Sequence, residues 1–462
     1  MTQTSTEPEL SFNRRLIAPM ILGAILNPIN SSMIAVALVP IGVAFHVLPA
    51  DTAWLVSALY VATATGQPVV GRLVDRYGPR RLYLIATSMV GIAGVMGLLA
   101  PDLGVLIASR VLLGLGTCAG YPAAMYLIRS ESRRTGVDSP GGVLTALSVA
   151  AQTIVVIGPT LGGLLIVAGG WRSIFAVNIP LAVACVVLGA KRLPKPEEPS
   201  VRTPLDVLGI TLFAGTLTSL MLFLMGPAVR HLWLLGLMVL LAAGFVLREL
   251  RAADPFLDLR VFGGNAPLIA TYIRTWLAQT IGYAFLYGYT QWLEAGRGLG
   301  PSHAGLVLLP MSAIAIGVSA LTGRRREFRG KLLVGALSQL VACSLLLFLG
   351  SHSAIWFPVL ISVILGLPQG LNSLANQNAV YYQAHPDLMG ASAGLLRTFV
   401  YLGAMVSSAA TGAFFKNGAD TAGLHGLAWF LIVVAALLLA VTLSDRSLSR
   451  IGKQPTPEGT PA

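Results

Sequence analysis

Residues 71–81 read GRLVDRYGPRR, and their charge pattern separates a soluble fold from a membrane fold. Arg72, Asp75, Arg76, Arg80 and Arg81 crowd onto one short segment, while long and nearly uncharged runs lie on either side. A soluble surface spreads its charge. A chain that repeatedly enters a bilayer confines charge to the turns between spans. Gly71 and Gly78 fit a tight turn, because glycine tolerates backbone angles closed to other residues.

Working outward, the 462-residue chain is 55% hydrophobic and only 11% charged. A soluble domain carries about 25% charged residues. The apolar runs reach about 18–25 residues, long enough to cross a hydrocarbon layer of about 30 Å as helix. They do not alternate apolar and polar positions, which excludes a membrane β-barrel. An all-α membrane protein follows, with fourteen expected spans, the first at 16–39 and the last at 423–444. Residues 1–15 are polar and end in Arg14-Arg15; the apolar run after them is expected to be the first span rather than a cleaved signal peptide. Cys118, Cys185 and Cys343 all fall inside apolar runs, so neither a disulfide framework nor a metal spacing is expected.

The net charge of +12 points to orientation rather than to nucleic acid. With the N-terminus inside, Arg172, Arg230, Arg297 and Lys416 are the basic residues of the outer segments, and Arg110, Arg274 and Arg397 lie within spans; all others of the 31 fall in inner segments. This places both termini in the cytoplasm of a multi-pass protein of the cell (inner) membrane.

The opening turn recurs. GRRREFRGKLL, residues 323–333, follows the tenth span, and Gly71, Asp75 and Gly78 align with Gly323, Glu327 and Gly330. A parallel repeat of two six-helix bundles is expected. The expected divisions are 1–190 for the first bundle, 191–250 for a proline-rich connector and two additional helices, 251–445 for the second bundle and 446–462 for a cytoplasmic tail.

Two bundles with one such turn each resemble the major facilitator superfamily, and fourteen spans resemble its drug:proton antiporter branch. The resemblance covers nearly the whole chain. It implies a gating role for Gly71, Asp75, Arg76, Gly78 and Arg80, and for Glu327 in the second copy. Trp54-Leu55-Val56-Ser57 and Arg110-Val111-Leu112-Leu113-Gly114 also match family patterns, the latter with Leu113 where glutamine is usual. Gly158-Pro159-Thr160-Leu161-Gly162-Gly163 resembles the span-five antiporter motif, although Ile154 replaces an earlier glycine. Trp171-Arg172-Ser173-Ile174-Phe175, with Asn178 and Pro180, resembles the start of span six. A mid-span proline bends a helix and glycines admit a close neighbour, so Gly158, Pro159, Gly162 and Gly163 either pack helices or seal a pocket.

Asn27 and Asn30 lie in a first-span motif where many members carry an aspartate. Every carboxylate falls in a loop, a tail or a span end, Asp75, Asp206 and Glu294 being nearest the interior. Proton coupling therefore comes from the resemblance alone. The intramembrane cations Arg110, Arg274 and Arg397 are functional candidates, since charge at membrane depth is expensive. If Arg274 and Arg397 face inward unpaired, they favour an anionic or zwitterionic substrate; alternatively their side chains snorkel to the interface. Gln369, Asn372 and Asn376 share one helical face, as do Trp276, Gln279, Tyr283, Tyr287 and Gln291. Such faces line water or hold helices together. Tyr121 and Met125 can contribute from span four.

No cofactor, metal or nucleic-acid partner is expected, and the chain is expected to be a monomer that handles a small-molecule substrate within a lipid bilayer. The expected function is secondary transport by alternating access: efflux of drugs or amphiphilic small molecules, with protons as the resemblance's coupling ion. Two alternatives stay open: a proton-independent uniporter or exchanger of an anionic or zwitterionic metabolite, and a transporter-fold receptor without flux. An intramembrane enzyme needs His, Asp, Glu or a nucleophilic dyad at membrane depth, and none is placed there. No phosphate-binding loop of the ATP-driven type occurs.

Overall fold

The computed structural model describes residues 12–135, 141–194, 206–225, 228–252, 255, 257, 259–322, 328–384 and 389–449. Glu327 lies outside them with the rest of residues 323–327 of the second basic turn, as does the side chain of Asp75.

The described residues are helical almost throughout. Apolar sequence in a bilayer must satisfy its backbone within each segment, and a helix does so. The first group comprises α1 (Ile17–Met33), α2 (Leu38–Phe45), α3 (Pro49–Tyr77), α4 (Pro79–Leu98), α5 (Leu103–Gly116), α6 (Gly120–Thr135), α7 (Gly141–Gly169), α8 (Ser173–Ala176) and α9 (Asn178–Arg192). Then come α10 (Val207–Met225) and α11 (Leu232–Arg251). The second group comprises α12 (Ala266–Ala284), α13 (Pro301–Thr322), α14 (Phe328–Leu345), α15 (Trp356–Gln383), α16 (Met389–Phe414) and α17 (Thr421–Ser444).

Short polar residues set the helix starts. Asp102 caps α5 by accepting from the Val105 N–H at 2.9 Å, and Asp420 caps α17 through the Gly423 N–H at 2.7 Å. Pro49, Pro79 and Pro267 occupy first-turn positions, where a missing N–H does no harm. Gly78 joins α3 to α4 with φ of 83°, which a side chain would strain. This is the turn expected inside GRLVDRYGPRR, although α3 runs to Tyr77 and so absorbs most of that stretch.

Among the described residues, eleven helical segments are long and apolar enough to cross a membrane. The other three expected spans fall on α7, α12 and α16. The helix begun by α12 continues through two π turns, Phe285–Tyr289 and Trp292–Gly296.

Packing follows one pattern twice. In the first group α1 lies on α7, α3 on α5 and α4 on α9; in the second α12 lies on α16, α13 on α15 and α14 on α17. The groups meet along two seams, α7 against α13 and α3 against α16. The exchange is reciprocal, since a second rod of one group meets a fifth rod of the other each time. α10 pairs with α11 and also touches α3 and α16. One apolar cluster crosses between the groups, joining Leu55, Leu59 and Tyr60 to Tyr272, Tyr401 and Met405.

Candidate functional site

The basic end of the molecule carries Gly78; the far end carries the opposite connections, such as Leu99–Asp102. At the far end α7 uses alternate faces for its two neighbours. Gly158 and Gly162, one turn apart, face α1, where a Cβ on Gly162 would come within 3.0 Å of the Met33 carbonyl. Gly163 faces α13, where a Cβ would sit 2.6 Å from Ser302 Cα and 2.7 Å from the Pro301 carbonyl oxygen. From the other side, a Cβ on Gly305 would meet the Pro159 carbonyl oxygen at 2.8 Å. The Thr160 hydroxyl donates to the Gly305 carbonyl at 3.1 Å. Only residues without side chains permit this backbone-to-backbone approach.

The α3–α16 seam is held by side chains. Ser408 donates to the Ala53 carbonyl at 2.9 Å, and the Tyr401 hydroxyl donates to Gln67 Oε1 at 2.6 Å. Gly412 leaves more room: a Cβ there would find its nearest neighbour, Ala50 Cα, at 3.3 Å.

Below the far-end contacts lies a buried polar layer. Tyr287 donates to the Ser31 carbonyl at 2.9 Å, so its oxygen accepts from the Tyr60 hydroxyl, also at 2.9 Å. Both tyrosines are almost completely buried. Arg110 lies beside them, 1% exposed. Its Nε donates to the Leu55 carbonyl at 2.9 Å and its Nη1 to the Asn30 carbonyl at 3.2 Å, while Nη2 has no partner. Backbone carbonyls thus carry most of the electrostatic compensation for this cation.

The layer continues toward the basic end as an aromatic ladder. Tyr283 stacks on Tyr287 at 5.8 Å and meets the edge of Tyr60 at 5.3 Å; Tyr401 approaches Tyr60 at 5.7 Å. Arg397, one turn before Tyr401, lies over the ring of Tyr121 at 5.0 Å. Tyr121 is 40% exposed, and Arg397 is exposed too, although both stand between the helix groups. Both lie on the basic side of the Tyr60–Tyr287 layer.

Other sequence candidates have different neighbours. Asn30 is buried and locked to Asn178 through bonds of 2.6 and 2.8 Å, so its amide ties α1 to α9 instead of lining a cavity. Asn27 donates to Thr117 at 3.1 Å. Arg274 is not an unpaired cation facing inward: it is fully buried and ion-paired with Asp445, with a second bond to Thr271. Asn372 donates to Gln339 at 3.3 Å and lies against Gly335, between α14 and α15. Asn376 is buried, with its Oδ1 unpartnered, and Gln369 is half-buried. Gln279 packs at Gly403, on the α12–α16 contact. At the basic end Arg80 donates to the Ala190 carbonyl at 2.6 Å, Arg76 lies over Tyr77, and Arg72 reaches the Pro255 carbonyl. Gly71 sits within α3 with open space around it. Among the described residues no cluster of three or more His, Cys, Asp or Glu could hold a metal ion.

Sequence reasoning missed Tyr60, Gln67 and Tyr401. The available signal was spacing: Tyr401 follows Arg397 by four residues, and Gln67 follows Tyr60 by seven, so each pair shares a helical face.

Known proteins share both the sequence pattern and this architecture. Residues 20–408 match the family model described as Major Facilitator Superfamily. An uncharacterized MFS-type transporter of Bacillus subtilis (strain 168), YwoD, is 33% identical over 430 residues, covering 91% of this chain and 94% of that protein. The tetracenomycin C resistance and export protein of Streptomyces glaucescens is 29% identical over 410 residues, 86% of this chain and 74% of its own. Among solved structures, the peptide transporter POT in complex with sulfate superposes with a TM-score of 0.69 at 14% identity, covering 97% of both chains.

Proposed function

Because this chain belongs to the Major Facilitator Superfamily, we propose that it exports amphiphilic small molecules by alternating access. Membership makes it a multi-pass membrane transporter and not an enzyme. The observation that carries the finer reading is the asymmetry along the two seams: glycine-tight contacts at the far end, and exposed Arg397 and Tyr121 between the groups. This asymmetry supports an access state closed at the far side and open at the basic side.

In this reading α7, the helix begun by α12, and α16 complete fourteen spans with the eleven apolar helices, as in the drug:proton antiporter branch. Residues 1–190 and 251–445 are the two moving bundles, and 191–250 supplies a connector with an additional helix pair. The basic end faces the cytoplasm, both termini lie there, and the protein works as a monomer in the cell membrane. Export as the direction is supported by similarity to the tetracenomycin C exporter. Glycines 158, 162 and 163 with Pro159 form the far gate, and the turn at Gly71–Arg80 regulates the opposite one. Protons are the proposed coupling ion.

The test is dye flux in proteoliposomes with an imposed pH gradient, for the wild type and Asp75→Asn. Export that requires the gradient and weakens in the variant is expected. Flux indifferent to the gradient removes proton coupling, and saturable dye binding with no flux removes transport.

A further inference from the structure

Three arginines, Arg110, Arg274 and Arg397, fall within the expected spans, and the structure distinguishes them. Arg274 is neutralised by Asp445, and Arg110 is enclosed by backbone carbonyls and tyrosines. Arg397 alone of the three is exposed, and it has no carboxylate partner among the described residues. Its position is roughly 12 Å along α16 from Met389 at the helical rise per residue. Its neighbours come from three elements: Tyr121 of α6 beneath the guanidinium, Tyr283 of α12, and Tyr401 of its own helix.

We propose that Arg397, with Tyr121, Tyr283 and Tyr401, forms a subsite for the anionic group of a planar aromatic substrate. The proposal rests on the transport reading above and narrows its substrate class. A guanidinium offers five donors in a fixed fork, and tyrosine hydroxyls and ring faces occupy only part of that capacity. A carboxylate or phenolate can take the remaining donors bidentately. Low-dielectric walls strengthen the attraction relative to bulk water. The tyrosine rings suit a flat ring system placed beside the cation, since aromatic pairs gain by offset or edge packing.

The same charge selects against the opposite class. A cationic amphiphile at this subsite meets an arginine with no carboxylate partner among the described residues, and the buried carboxylates Asp206, Glu249, Glu294 and Asp445 all lie at helix ends or in connections. Like-charge exclusion is an effective specificity device. Arg397 is thus assigned as the residue that reads substrate charge.

Three nearly isosteric xanthene dyes test this: fluorescein as an anion, rhodamine 110 as a zwitterion and rhodamine 123 as a cation. Binding to the purified full-length protein is followed by fluorescence anisotropy in mildly alkaline detergent solution. The wild type should bind fluorescein about tenfold or more tightly than rhodamine 123, with rhodamine 110 between them. Arg397→Gln should erase that order, and Arg397→Lys should restore part of it. Tyr121→Leu should weaken all three dyes while keeping their order, and it carries the test if Arg397→Gln fails to fold. Equal or tighter binding of rhodamine 123 by the wild type, an unchanged order in Arg397→Gln, or no binding of fluorescein overturns the proposal. Binding needs no flux, so a charge order without dye transport refutes the transport reading and leaves the subsite. Transport of all three dyes independent of Arg397 refutes the subsite and leaves transport.

Discussion

The two seams between the helix groups are related by the repeat, yet they are built differently. Along α7–α13 the backbones touch, and Gly163, Gly305 and Pro159 leave no room for a side chain. Along α3–α16 the contact is made by side chains, through Ser408 and Tyr401. A backbone contact is nearly all-or-none, because atoms on both sides are fixed by helix geometry. A side-chain contact can be lost in small steps. One seam therefore acts as a stop and the other as an adjustable tie.

Identical substitutions on the two seams should have unequal consequences. Gly163→Ala should do most damage. Its methyl meets Pro301 and Ser302 backbone at 2.6–2.9 Å, and overpacking of that kind costs about 1–3 kcal/mol. The added methyl stabilises α7 itself in either access state, so it is the balance between states that shifts. Flux should fall about tenfold or more, and labelling of a cysteine introduced at the far end by an impermeant maleimide should rise. The native Cys118, Cys185 and Cys343 are buried and should contribute little background.

Gly412→Ala should be much milder, about twofold to threefold in the same flux assay, because its neighbours stand at 3.3–3.4 Å or beyond. Equal losses at Gly163 and Gly412 would abolish the distinction between the seams. Tyr401→Phe and Ser408→Ala each remove one hydrogen bond across α3–α16, worth about 0.5–1.5 kcal/mol. Each should change flux by a few-fold at most, and the double variant should combine their effects, since the sites lie two turns apart.

The smallest effect belongs to a control remote from both seams. Glu131 accepts from Arg134 at 2.7 Å and from the Asn13 N–H at 3.0 Å. The Arg134 guanidinium holds its carboxyl below the usual carboxylate range. A depressed folded-state pKa stabilises the protein above the unfolded pKa, and the benefit is lost as pH falls through the folded value. Glu131→Gln should lower thermal stability slightly at neutral pH, and the difference from wild type should vanish in acid. Flux should be unchanged.

The stop was partly legible in the sequence. Gly158-Pro159-Thr160-Leu161-Gly162-Gly163 announces close packing, because glycine beside proline within an apolar run has few other uses. Which glycine meets which neighbour was not legible, since that depends on a one-residue rotation about α7. The adjustable tie was harder to see. Ser408 and Tyr401 look like ordinary members of an apolar helix, and their partners lie more than 300 residues away. The same distance problem hid the Asn30–Asn178 lock and the neutralisation of Arg274 by Asp445. Arg397 could be recognised as unusual from its position, but only the Tyr121 ring of α6 beneath its guanidinium distinguishes it from a snorkelling side chain.

The Arg274–Asp445 pair has a practical consequence for anyone trimming or tagging this polypeptide. Asp445 is the first residue after α17 and anchors the carboxy-terminal boundary to α12. A truncation ending at Ser444 would strand a guanidinium inside the bundle, at about 3–5 kcal/mol. Reporter fusions should therefore begin beyond Ser449; shorter versions should give aggregated peaks on size exclusion even though every apolar helix remains.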